Sequence, residues 1–272
     1  MLKNKTNTVL ILNVTTGKSG SKVFRNRKDN QVEKTFSYER DARAYELLVN
    51  GLKCSKAGKY LAANAEFDSA VKTCHKDSTL LREIFFHKSE TLNKMKKYGD
   101  ALSSLWEAEK RRCPSPILHL EYGRAYYGLE DYQMAAMHLD KLIGGGYGEK
   151  QAYFLLAKAH FKLSNFEDAL KNYEKSGNKG MEESEIAFGK GNAHIGLLQF
   201  EKAIVEFNKA ENCGCKYASL YVSRGYALLK SGKYNEAIGD FYIARKKEYK
   251  NTKQLESYIE EAKRQLMAIA DY

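Results

Sequence analysis

The chain has 272 residues, 43% of them hydrophobic, a formal net charge of +11, 19 tyrosines and only two prolines. That length holds one large domain or two small ones, and scarce proline beside abundant Ala, Lys, Glu and Leu favours helices over loops. The five cysteines (Cys54, Cys74, Cys113, Cys213 and Cys215) are odd in number and irregularly spaced, a poor disulfide framework that suits a reduced cytosolic compartment better.

Residues 1–40 carry nine Lys or Arg against three acidic residues, so +6 of the total charge sits in this short segment. Such a leader suits contact with nucleic acid, anionic lipid or an acidic protein, and its composition suits a solvated, flexible tail. A flexible basic leader over 1–40 is therefore the expectation, with one sticky, β-prone stretch at 8–14. Its apolar run, Val9-Leu10-Ile11-Leu12, falls short of the roughly 7–15 residues of a signal peptide and the roughly 18 of a membrane span. The expectation is a cytoplasmic chain with no membrane span. The same run is a candidate intramolecular ligand for an apolar groove elsewhere in the chain. Thr16-Gly17-Lys18-Ser19 looks like the end of a phosphate-binding loop, but Leu12 stands where that loop needs its first glycine.

Beyond residue 40 a repeat governs the sequence. An aromatic residue is followed three places later by Ala at Tyr60/Ala63, Tyr98/Ala101, Tyr132/Ala135, Phe166/Ala169, Phe200/Ala203 and Tyr234/Ala237. The last five aromatics are each 34 residues apart, and the first gap is 38. Nine residues before each aromatic sits a small residue: Gly51, Ser89, Gly123, Ala157, Gly191 and Gly225. Seven after it sits a large one: Phe67, Leu105, Leu139, Tyr173, Phe207 and Phe241. Ten after it come Ala70, Ala108, Leu142, Ser176, Ala210 and Ala244. The later positions form one stripe of a helix and the small residue lies on a preceding helix, so small against large lets two antiparallel helices approach closely. Turns fall just before each aromatic, with Lys96-Lys97 and Leu198-Gln199 the least turn-like pairs. Gly144-Gly145-Gly146-Tyr147-Gly148 reads as a wide or flexible turn between the third and fourth units. Last comes an amphipathic stretch, Leu255, Ile259, Ala262, Leu266 and Ile269, expected to cap the array as a helix over 252–270.

This pattern resembles the tetratricopeptide repeat family, whose period is 34 and whose unit is helix–turn–helix. The resemblance covers roughly residues 44–251, in units of about 44–77, 82–115, 116–149, 150–183, 184–217 and 218–251. The family's proline after the second helix survives only as Pro114, and its Trp early in the first helix is absent; the sole Trp, Trp106, falls in a second helix. The implied architecture is all-α: a right-handed superhelical solenoid of six repeats with a C-terminal capping helix, making 41–272 one domain after the leader.

In this family the first helices line the concave side, which holds the ligand. Positions twelve, eight and five before each aromatic then face inward, giving Leu48, Leu52 and Ser55; Phe86, Glu90 and Asn93; Leu120, Arg124 and Tyr127; Phe154, Lys158 and Phe161; Phe188, Asn192 and Ile195; and Val222, Tyr226 and Leu229. The candidate partner-binding residues among them are Phe86, Leu120, Arg124, Tyr127, Phe154, Lys158, Phe161, Phe188, Asn192 and Tyr226. Together they describe an apolar floor with a polar ridge, suited to a protein partner's amphipathic helix or extended peptide. Family members that clamp the C-terminal carboxylate of heat-shock chaperones use Lys, Asn and Arg on this stripe, and no three consecutive repeats here carry that set.

No catalytic, cofactor or metal constellation emerges from the sequence. Cys213-Gly214-Cys215 lacks the four ligands of structural zinc. His160 and His194 share one repeat position and read as packing residues. The expected function is thus a non-enzymatic protein–protein interaction scaffold or adaptor, as an assembly factor or part of a larger complex. The alternative is a nucleic-acid-binding helical repeat protein that uses the basic leader.

Overall fold

The computed structural model describes residues 12–16, 22–26, 32–36, 39–76, 79–113 and 115–270. The chain forms two compact units, Met1–Asp131 and Tyr132–Tyr272. The first contains β1 (Leu12–Thr16), β2 (Lys22–Asn26), β3 (Val32–Phe36), α1 (Glu39–Lys56), α2 (Tyr60–Thr73), α3 (Leu80–Lys94), α4 (Tyr98–Lys110) and α5 (Ser115–Gly128). The second contains α6 (Tyr132–Gly144), α7 (Lys150–Lys162), α8 (Phe166–Asn178), α9 (Glu183–Gly196), α10 (Phe200–Asn212), α11 (Ala218–Lys230), α12 (Tyr234–Lys246) and α13 (Thr252–Ala270). The division falls between the two helices of the third repeat, although the sequence period runs through it unbroken.

Within residues 1–40, where a flexible leader is the expectation, the described residues 12–16, 22–26 and 32–36 are strands. They form an antiparallel meander in the order β1-β2-β3, with Val14 opposite Phe24 and Phe24 opposite Lys34. Each strand carries at least two β-branched or aromatic residues, and pairing supplies partners for their backbone groups. Leu12, the last residue of the proposed intramolecular ligand, is thus committed to a strand pair, while Val9, Leu10 and Ile11 lie outside the described residues. The Gly-Lys-Ser stretch after Thr16 lies outside the described residues.

From α1 onward the repeat positions are the core. All six Ala residues three after the aromatic are fully buried, and so are Phe67, Leu105, Leu139, Phe207 and Phe241 seven after it. In the first, fifth and sixth repeats the glycine nine before it is there because a ring fills its space. A Cβ on Gly51 would lie 2.5 Å from the Phe67 ring, and one on Gly191 or Gly225 would lie 2.6 Å from Phe207 or Phe241. Successive pairs then stack, with α1 meeting α3 and α3 meeting α5 in the first unit, and α7, α9, α11 and α13 meeting in sequence in the second.

The turns keep the same period. The residue two before the aromatic takes a left-handed conformation in every repeat: Gly58, Lys96, Glu130, Ser164, Leu198 and Gly232. The next amide closes the helix end by bonding back five residues, as in Lys97 N–H to Leu92 C=O and Gln199 N–H to His194 C=O, each 2.9 Å. Lys96-Lys97 and Leu198-Gln199 are therefore turns of the same form as the rest. The second helices end likewise, at Arg112, Gly146, Gly180, Gly214 and Glu248. The Gly144–Gly148 segment is accordingly no wide loop: Tyr147 N–H bonds Leu142 C=O at 3.2 Å, as Cys215 N–H bonds Ala210 C=O at 2.9 Å. After α2, where four extra residues enter, Asp41 takes over this work and accepts the His75 amide at 2.8 Å.

In α13, Leu255, Ile259 and Ala262 are buried as expected of a cap, but Ile269 is 61% exposed, so the covering face ends before the helix does.

Two substitutions test this account. Gly191→Ala should cost roughly 1–3 kcal/mol by forcing a methyl group into the Phe207 ring. Leu198→Gly should stabilise by about 1 kcal/mol, because leucine strains a left-handed backbone and glycine does not. Urea midpoints measure both, and a loss on Leu198→Gly would refute the turn argument.

Candidate functional site

In the second unit the inner stripe opens a cleft of about 310 Å³. Its apolar walls are Phe161 of α7, Phe166 of α8, Ile195 and Gly196 of α9, and Val222 of α11. Its polar and amphipathic walls are Asn192 of α9, Ser223 and Tyr226 of α11, Tyr249 of the last turn, and Gln254 and Tyr258 of α13. Three of the candidate residues therefore meet here: Phe161, Asn192 and Tyr226. The others in this unit serve packing more than lining. Phe154 sets its edge on Tyr173 at 5.8 Å between ring centroids, and Phe188 packs on Phe207 at 6.0 Å and Tyr217 at 6.4 Å. Lys158 lies over the Phe154 ring, 5.7 Å from its centroid, and burial lowers its pKa below that of an ordinary lysine.

Rings build the cleft's far wall. Tyr226 meets Tyr258 at 5.4 Å and Phe200 at 6.3 Å, and Tyr258 stacks on the buried Phe241 at 5.6 Å. The Lys230 ammonium lies 5.5 Å from the Tyr226 ring centroid and is paired with Glu261 at 2.8 Å. None of the lining residues is charged. Gln254 and Tyr258 escape sequence reasoning because they follow the last full repeat, where the period has no further aromatic to count from, and Tyr249 because it sits in the turn that ends that repeat, off the inner stripe.

The candidate residues of the first unit occupy a charged setting. Phe86 and Leu120 are half-buried, Phe86 with its ring edge on His87, and Tyr127 is half-buried as well. Arg124 reaches the buried Glu121 at 2.5 Å. Asn93 donates to both the Glu121 carboxylate (2.8 Å) and its backbone carbonyl (3.0 Å). Burial raises the Glu121 pKa, and the charge of Glu90 adds to the rise; Arg124 and Asn93 only partly offset it. Burial pushes Glu90 up too, but its hydrogen bond to His87 and the charges of His87, Lys94 and Arg124 outweigh that and hold it low. Glu121 is a residue that sequence reasoning missed, since it lies one position off the inner stripe.

His194 bonds Gln199 at 2.9 Å, a packing contact at the turn. Among the described residues no three His, Cys, Asp or Glu side chains are grouped to hold a metal, and no helix is long and apolar enough to cross a membrane.

No family model and no curated protein matches the sequence. Solved structures do match the fold. A chain of the APC/C hetero-tetramer Cut9–Hcn1 superposes with a TM-score of 0.66 over 81% of this chain, at 13% identity. The present chain spans only 43% of that one. MamA from Desulfovibrio magneticus RS-1 gives a TM-score of 0.57 at 19% identity, over 63% of this chain and 97% of its own. A tetratricopeptide repeat protein from Parabacteroides merdae gives 0.55 at 17% identity, over 80% and 84%. The fold is that of the tetratricopeptide repeat.

Glu121 yields a prediction with a defined sign. Its folded pKa lies above its unfolded value, so the wild-type chain loses stability as pH rises from the unfolded carboxylate value near ~4.3 through the folded one. Glu121→Gln abolishes that titration. The stability of the variant relative to wild type should therefore climb with pH across this window and level off above it, read from urea unfolding at successive pH values. A difference that shrinks with rising pH would show that Glu121 is not held protonated by its surroundings.

Proposed function

We propose that this tetratricopeptide-fold chain is a non-enzymatic interaction scaffold that docks a peptide or helix of a protein partner on the inner stripe of its first helices. The observation that carries this reading is the cleft of the second unit. Five helices and the last turn converge there on an open, uncharged surface rich in rings, where a soluble chain would otherwise expose polar groups. Asn192 and Tyr226 stand on the stripe that the 34-residue period marks as inward, with Phe161 from the preceding repeat beside them. Role as an assembly factor or a component of a larger complex fits an array given to docking, and a cytoplasmic location fits cysteines held as thiols. The nucleic-acid alternative draws its support from the basic excess of residues 1–40; the uncharged cleft lends it none, since phosphate contacts need Lys or Arg.

Asn192→Arg tests the reading. Among the described residues the Asn192 side chain bonds only its own helix, through Nδ2–H to Phe188 C=O at 3.0 Å, so the fold should tolerate the change while a guanidinium fills the cleft. Recovery from native lysate on immobilised full-length protein should lose specific proteins relative to wild type, with thermal unfolding still cooperative. An identical set of recovered proteins would place docking elsewhere.

A further inference from the structure

The sheet of the first unit has two unlike edges. At one, β3 leads into α1 and meets it, and carries Glu33 and Lys34. Its ladder to β2 is irregular: the register shifts between Phe24 and Arg25, so Glu33 has no partner across it. Charge and a bulge are devices that keep an edge strand from pairing further. At the other edge, β1 has neither. Its five residues, Leu12–Thr16, include no charged residue, proline or glycine, and they pair with β2 in unbroken register. Among the described residues nothing pairs with the outer edge of β1. An edge strand turns a row of N–H and C=O groups away from its partner, so β1 keeps backbone donors and acceptors unspent on that side.

Two properties select the occupant. An alternating row of N–H and C=O groups is matched by another polypeptide strand, and not by the phosphates of a nucleic acid or a lipid, which offer acceptors alone. Charge then decides which strand. Residues 1–40 carry nine Lys or Arg against three acidic residues, and Lys22 and Arg25 lie on β2, next to β1. A second copy would bring the same excess of +6 to the same edge, and like charges oppose that pairing. An acidic strand is attracted instead.

We propose that the outer edge of β1 docks an extended, acidic segment of a protein partner, which adds a fourth strand to the sheet beside Leu12–Thr16. The site belongs to the first unit and does not depend on the docking reading of the second.

The test uses the full-length chain and three labelled, capped peptides of equal length, followed by fluorescence anisotropy. One alternates glutamate with valine, one is the same peptide N-methylated at every backbone nitrogen, and one alternates lysine with valine. The glutamate–valine peptide should bind saturably and weaken severalfold as salt rises. The N-methylated peptide keeps the charge and side chains but has no N–H to donate, so it should bind at least ~10-fold more weakly. The lysine peptide should not bind. Hydrogen exchange locates the site: some amides of Leu12–Thr16 should exchange freely in the free chain and become protected by the glutamate–valine peptide. No saturable binding of that peptide overturns the proposal, as does unchanged exchange at Leu12–Thr16 in its complex. Equal affinity for the N-methylated peptide, or for a single-stranded oligonucleotide of the same charge, reduces the binding to charge and also overturns it. So does protection of all five amides without peptide: at every concentration it shows that the chain covers its own edge, and only at high concentration that a second copy does. None of these outcomes bears on the cleft, which is tested by Asn192→Arg.

Discussion

Everything in the helical part of this molecule depends on one contact: a glycine or other small residue of a first helix pressed against a large side chain of the second. Phe207 occupies the volume that a Cβ on Gly191 would need, and Phe241 does the same at Gly225. Because the ring enters the partner helix's surface, the two helices lie close enough to bury Ala203 and Ala237 completely. That packing fixes the rotation of each first helix about its axis. Once position nine before the aromatic faces inward to the pair, position eight turns toward the surface shared with the neighbouring repeats. Asn192 and Tyr226 are exposed to the cleft because Gly191 and Gly225 are not free to be anywhere else.

The same contact explains why the helices were legible and much of the site was not. A period of 34 with five residue classes in phase over six units specifies which positions are buried, and the burial follows it with few departures. The meander was not legible because its strands are short and lie in a segment whose charge reads as a solvated tail; pairing, not composition, makes them strands. The turn form at Leu198 and Lys96 was hidden for a related reason. Residue type suggested weak turns, yet the helix ends require a left-handed residue there whatever its side chain. Of the cleft, the stripe supplied Phe161, Asn192, Ile195, Val222 and Tyr226, whereas Gln254 and Tyr258 came from a helix that no longer keeps the repeat phase. Leu48 and Leu229, read as inward, are buried between helices instead.

Charge is grouped apart from the cleft lining. Away from the cleft, Arg224 forms a fork to Asp240, with Nε–Oδ2 at 2.7 Å and Nη2–Oδ1 at 2.8 Å. Its Nη1 reaches Glu211 at 2.6 Å, and Glu211 also accepts the Tyr221 hydroxyl at 2.8 Å. This network ties α10, α11 and α12 together through two-point contacts that resist sliding, which apolar packing alone does not. It lies one residue from Ser223 on the same helix. The helix thus presents a charged, register-fixing face to its neighbours and, a step round, an uncharged one to the cleft.

That separation bears on how the cleft discriminates. A groove rimmed with charge attracts many acidic or basic segments at long range and owes its selectivity to a few contacts. Under the docking reading, an uncharged groove lined with hydroxyls and amides gains nothing from attraction at a distance, and it penalises any occupant that leaves those groups unpaired. Selectivity would then rest on matching polar groups at short range, and the surface would stay indifferent to the salt-dependent encounters that a chain of net charge +11 otherwise invites. The last turn and α13 complete this arrangement. A seventh repeat would have continued the stripe of the preceding six, but the cap turns Gln254 and Tyr258 into the wall, joined by their mutual hydrogen bond.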